Sequence, residues 1–168
     1  MDDWPRMAII VDGPDPAGRA VADWLADLAC HRHGIEADLL DLGAAGLPEV
    51  ADRHVPTPPA VRDLAPWLAV AAGFVVVVPP RSPASLENAV VWWGPGWRGK
   101  PVAFASPAPN PDRLPALRRL RDLFTAAHAV LVDEVVGFRD PRREERAARV
   151  LDELAALATG SSTQQRKE

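Results

Sequence analysis

Five short apolar runs alternate with five stretches of helical spacing along this chain, and that alternation constrains the fold more than any other feature. Residues 7–11 read MAIIV, a buried strand. Val21, Trp24, Leu25 and Leu28 recur at i, i+3, i+4 and i+7, the stripe of an amphipathic helix, and Gly34 suits the turn that ends it. Residues 35–42 read as a second strand and 43–59 as a long, proline-spotted connection. Val61, Leu64, Leu68 and Ala71 mark a helix over 60–72. Residues 74–78, FVVVV, are the clearest strand: short, uninterrupted and β-branched. After a loop at 79–83, Leu86, Ala89, Val90 and Trp93 share the inner face of a helix over 84–93, and 94–100 is a turn. Residues 101–106 make a fourth strand, with Pro101 at its first position, where a ladder tolerates proline. A proline-rich loop at 106–111 leads to a helix reaching Ala127, with Leu117, Leu120 and Phe124 inward. Residues 130–136 are the fifth strand. Asp140 and Pro141 are the expected N-cap and first residue of a last helix, lined by Val150, Leu151, Leu154 and Leu157 and ended by Gly160. Residues 1–6 are expected to be loose and 161–168 to be a disordered polar tail.

Alternation of this kind implies right-handed crossovers and a parallel sheet covered on both faces. With 168 residues, the economical solution is one domain over 1–160: an α/β, flavodoxin-like three-layer sandwich with strand order 2-1-3-4-5. Hydrophobic residues at 48% and charged residues at 25% exclude a disordered or collagen-like chain and fit a soluble globule. The apolar runs fall far below the roughly 18 residues of a membrane span, and no basic-then-apolar leader opens the chain. A net charge of −4 speaks against a dedicated nucleic-acid binder. A single cysteine, Cys30, excludes an internal disulfide and suits a reducing cytoplasm. Proline is the unusual count, at 18 residues, about twice the ordinary share.

In an open α/β sheet, ligands bind beyond the carboxyl ends of the strands, where strand order reverses. Here that means three loops: Asp12 to Arg19, Pro79 to Pro83, and Ser106 to Asp112. The candidate ligand-binding residues on them are Gly13, Asp15, Gly18, Arg19, Pro79, Arg81, Ser82 and Ser106.

Four stretches resemble the NADPH-dependent FMN reductase family: MAIIV with its glycine-containing loop and VADWLA (21–26); GIEADLLDL (34–42); LENAVVWW (86–93); and above all WRGKPVAFAS (97–106). The likeness covers most of residues 7–133. It implies a flavodoxin-like fold, a dimer or tetramer, bound FMN, and hydride transfer from NAD(P)H to a flavin or quinone. It also implies a homodimer interface from Pro83 to Trp97, where Trp92, Trp93 and Trp97 gather; aromatic residues favour interface centres, and the competing reading is ordinary core packing for one or two of the three.

The three ligand loops depart from that family. Its phosphate loop reads G-S-x-R-x-G-S, with backbone N–H groups wrapping the FMN phosphate. This chain has Gly13 in the serine position, Asp15 about where the arginine stands, and Pro14 and Pro16, which have no N–H to offer. A carboxylate about 5 Å from a phosphate dianion opposes it by several kcal/mol at an effective dielectric of about 20; Arg19 compensates only if it turns toward the loop. The family's second loop, P-E-Y-N, cradles the isoalloxazine ring. Here only Pro79 matches, Pro80, Arg81 and Ser82 follow, and about three residues are missing. The third loop is glycine-rich in the family, but residues 106–111 hold three prolines and no glycine.

Other candidates have plainer readings. In Cys30-His31-Arg32-His33, neighbouring helix positions point apart, so a metal site is not expected, and a core-facing Cys30 with two exposed histidines is. Arg139, Arg142, Arg143, Arg146 and Arg149 read as a solvated face with a Glu145–Arg149 pair. His128 is expected to be structural. His54 lies in the long connection and is a candidate acid or base.

Two functions follow. By descent the chain is an NAD(P)H:flavin or quinone oxidoreductase holding FMN, with NAD(P)H required only if FMN is bound. The alternative is a flavin-free descendant: either a cofactorless enzyme acting on a small anionic or polyketide-like substrate, or a non-catalytic dimeric binding partner. Arg81, Ser82, Asp15 and His54 would line its cleft. Arg81 would grip an anion, because a guanidinium pairs with a carboxylate or phosphate in two-pronged fashion. No catalytic residue is assigned.

Overall fold

The computed structural model describes residues 4–13, 15–32, 34–47 and 56–165. Pro14, His33, the stretch 48–55 that includes His54, and both chain ends lie outside the described residues. Five parallel strands, β1 (Arg6–Val11), β2 (Glu36–Asp41), β3 (Gly73–Val77), β4 (Pro101–Ser106) and β5 (Val130–Gly137), form one sheet in the order β2-β1-β3-β4-β5. This is the flavodoxin-like order expected from the alternation.

The central strands β3 and β4 are buried along their whole length, as strands covered on both faces must be. Alternate side chains therefore feed two cores. On one face Ile9, Val75, Val77 and Ala103 pack against α1 (Pro16–Cys30) and α6 (Arg143–Gln165). On the other, Ile10, Phe74, Val76 and Phe104 pack against α2 (Leu42–Ala45), α3 (Pro59–Val70), α4 (Ala84–Trp92) and α5 (Pro115–Ala126). Trp97 fills the centre of this second core, 2% exposed, with its ring edge-on to Phe74 and Phe124 at 4.9 and 5.0 Å.

Several local expectations need correcting. The second strand stops at Asp41, whose carboxylate accepts the Gly43 and Ala44 N–H groups and so starts the short helix α2 inside the expected connection. The last helix begins at Arg143, because Asp140 closes a preceding turn by accepting the Arg142 N–H at 2.8 Å. It runs through Gly160 to Gln165, so 161–165 is helix and not tail. The Thr159, Ser161 and Thr163 hydroxyls donate back to helix carbonyls instead of capping the end. Cys30 is exposed, not core-facing.

The basic run on α6 is not simply solvated. Arg149 pairs with Glu134 on β5 at 2.7 Å, and Arg146 with Asp140 at 2.9 Å. Arg143 donates to the Phe138 carbonyl and lies over the Phe138 and Trp24 rings. These contacts dock α6 on the end of β5.

Candidate functional site

β1 and β3 are neighbours, and the chain leaves them in opposite directions, toward β2 and toward β4. The crevice beyond their carboxyl ends is thus the expected ligand position. Three helix N-termini border it, those of α1, α2 and α4. Each carries partly positive, unpaired N–H groups, the ordinary receptor for an anion. In this protein a carboxylate of the chain itself occupies each one.

Asp15 is the N-cap of α1 and accepts the Ala17 N–H at 3.2 Å, while Pro16 at the first helical position has no N–H. Asp41, at the end of β2, accepts the Gly43 and Ala44 N–H groups at 2.9 and 3.2 Å. It also accepts the Gly13 N–H at 3.2 Å and faces Arg19 at 3.5 Å. Asp12 faces Ser85, near the start of α4. Burial pushes the Asp12 carboxyl above its ordinary pKa; Ser85 pulls it down and the Asp41 charge adds to the rise. The Asp12–Ser85 link crosses directly from the loop after β1 to the helix after β3.

The eight candidate residues therefore play different parts. Gly13 has φ +78, a left-handed conformation suited to glycine, and its N–H is already engaged by Asp41. Gly18 is buried within α1, where a Cβ would lie 3.6 Å from Val11 and 3.9 Å from Val77, so it serves packing. Arg19 is divided between Asp23 and Asp41. Ser106 is 1% exposed; its hydroxyl donates to the Val78 carbonyl at 2.9 Å and accepts the Ala108 N–H at 3.2 Å. It ties the ends of β3 and β4 together and has no hydrogen left for a ligand. Pro79 is half-buried, whereas Arg81 and Ser82 are exposed. Sequence reasoning missed Asp12 and Asp41; the signal available was an acidic residue at the carboxyl end of each of two adjacent strands.

Residues 80–83 and the start of α5 bound a cleft of about 530 Å³, with Arg81, Ser82, Glu87 and Arg119 as its polar groups. Arg119 is held by Glu87 at 2.6 Å. Among the described residues Arg81 has no ion-pair partner, and no base is bonded to the Ser82 hydroxyl. A larger hollow of about 880 Å³ lies between the first turn of α1 and the loop into α6. No group of side chains suited to a metal occurs among the described residues, and no described helix is long and apolar enough to cross a membrane.

An FMN phosphate would have to enter a crevice where the Gly13 and Ala17 amides already serve Asp41 and Asp15, beside three carboxylates and with one shared arginine. The residues present do not fit that group.

The model of the NADPH-dependent FMN reductase family matches residues 5–158. Among solved structures, an oxidoreductase from Corynebacterium diphtheriae is 20% identical, covers 94% of this chain and 98% of its own, and superposes with a TM-score of 0.74. FerB, a flavoenzyme NAD(P)H:acceptor oxidoreductase from Paracoccus denitrificans, is also 20% identical, with 92% and 96% coverage and a TM-score of 0.66. A flavodoxin from Streptococcus pneumoniae is 16% identical, with 90% and 98% coverage and a TM-score of 0.60. At these identities the likeness shows the fold. No curated protein matches the chain.

Proposed function

Because the chain belongs to the NADPH-dependent FMN reductase family, whose members are flavin oxidoreductases by descent, we propose that it is a member that works without flavin. It keeps the scaffold and binds a small anionic ligand in the cleft beside residues 80–83. The observation that carries this reading is the set of three carboxylates, Asp12, Asp15 and Asp41, seated on the helix N-termini that would receive a mononucleotide.

The cleft favours binding over catalysis. Arg81 offers an exposed guanidinium with no ion-pair partner among the described residues, and Arg119 can exchange Glu87 for a ligand carboxylate. Ser82 lacks the adjacent base that a nucleophilic hydroxyl needs.

The ligand-binding form is a dimer of this chain. α4 is apolar beyond its inner face: Leu86, Ala89 and Val90 are buried, yet Val91 is 45% exposed. A helix apolar on more than one face is normally covered. On α3, whose last carbonyls are held by Lys100, Trp67 and Val70 are 55% and 58% exposed. The lone, exposed Cys30 suits a reducing compartment, and we take the cytoplasm as its location.

Two measurements test the reading. Purified protein should be colourless, and a visible flavin spectrum would contradict it. In a thermal-shift titration, citrate should raise the wild-type Tm and leave Arg81→Ala unmoved. An equal shift in the variant would remove Arg81 from the site.

A further inference from the structure

We propose that the hollow between α1 and the loop into α6 is a second ligand site, separate from the cleft at 80–83, and that it takes an aryl carboxylate, a small anion on a flat apolar body. The hollow holds about 880 Å³, within the range of ordinary small-molecule sites. It exists because the side chains that α1 turns to it, Ala17 and Ala20, are small; Pro107 and the Phe138 ring extend the apolar wall. Covering that wall with a ring removes apolar surface from water. Arg139, Arg142 and Arg143 border the same space.

Arg143 is the anchor. Arg146 and Arg149, the other arginines of α6, each face a carboxylate, Asp140 and Glu134. Arg143 has no ion-pair partner among the described residues, although it is half-buried. Its guanidinium lies 4.4 Å from the centre of the Phe138 ring and 5.3 Å from that of Trp24, and one N–H donates to the Phe138 carbonyl at 2.9 Å. A guanidinium carries five N–H donors, so most of the fork is unspent where it borders the hollow. The two rings and the carbonyl fix its plane, and a fixed planar fork is matched to a carboxylate. Arg139 and Arg142 are exposed and also lack ion-pair partners among the described residues. The acidic groups nearby do not cancel this charge. Asp140 is taken by Arg146 and by the Arg142 N–H. Glu144 and Glu145 also border the hollow, but both are exposed, where solvent weakens their reach.

Calorimetric titration with naphthoate tests the site. The wild type should bind one naphthoate per chain saturably. Naphthol keeps the ring and lacks the carboxylate, so it should bind at least about tenfold more weakly. Arg143→Lys keeps the charge but loses the fork and its stacking, and should weaken naphthoate by a similar factor. Ala20→Phe, at an exposed position, fills the hollow without touching any charge and should abolish binding; it carries the test if changing Arg143 loosens α6. Citrate has no apolar body and should not compete. The proposal is overturned if the wild type shows no saturable binding up to millimolar naphthoate, or if Ala20→Phe binds it unchanged. It is equally overturned if citrate displaces naphthoate or Arg81→Ala abolishes its binding, because either result would put the anion in the cleft at 80–83.

Discussion

Asp12 directly follows β1, with a half-buried carboxyl turned toward Ser85, within the field of Asp41. Its pKa is raised, first by burial, so the folded protein holds this proton to higher pH than the unfolded chain does. Folding is therefore favoured by this group at low pH, and the contribution is lost as pH rises through the raised value. Asp12→Asn keeps an acceptor for Ser85 and removes the charge. Urea unfolding should show the variant more stable than the wild type at about pH 7. The gain should vanish near pH 3, where both side chains are neutral. A variant less stable at neutral pH would mean that the charge itself holds Ser85. Of the three carboxylates, only Asp15 was singled out from the sequence, by its place in the first ligand loop, and its capping of α1 was not. Asp12 and Asp41 acquire their partners through the register of the sheet, which no local pattern announces.

Strands were more legible than the ends of helices. The run FVVVV and the segment behind Pro101 appear as β3 and β4 within a residue or two, because burial on both faces leaves an uninterrupted apolar run. Helix α2 left no periodic signal: four residues are too few for one, and a strand-end carboxylate starts it. The end of α6 was misplaced because Gly160 stops a helix only where a left-handed turn follows, and here hydroxyls bond back along the helix instead. The clasp between β5 and α6 carries a pH signature. The Arg149 hydrogen bond holds the Glu134 carboxyl below its ordinary pKa. The stabilisation is therefore present above the ordinary carboxylate value and is lost as pH falls through the lowered one. Acid titration of stability should show a shallower acid limb in Glu134→Gln than in the wild type. Coincident limbs would show that the pair contributes nothing, as many exposed pairs do.

At the scale of the molecule, alternation and crossover handedness were enough to read the sheet order, because few topologies satisfy both. Of the gathered tryptophans, one takes the competing reading of core packing. Trp97 belongs to the core, fixed between Phe74 and Phe124; among the described residues the exposed large apolar side chains are Trp4, Trp67, Val70, Val91 and Val130, of which Val91 on α4 lies within the expected interface. If two copies meet there, Val91→Glu should convert a dimer to a folded monomer in sedimentation equilibrium. A wild type that is monomeric at high micromolar concentration would remove the interface. The closure of the crevice between β1 and β3 was only half visible: the prolines and Asp15 announced a poor phosphate site, while the Asp12–Ser85 bridge and the Asp41 anion needed the assembled fold. That closure is tested most directly by titrating the purified protein with FMN and following flavin fluorescence. The account predicts unchanged fluorescence up to high micromolar protein; saturable quenching at one flavin per chain would contradict it.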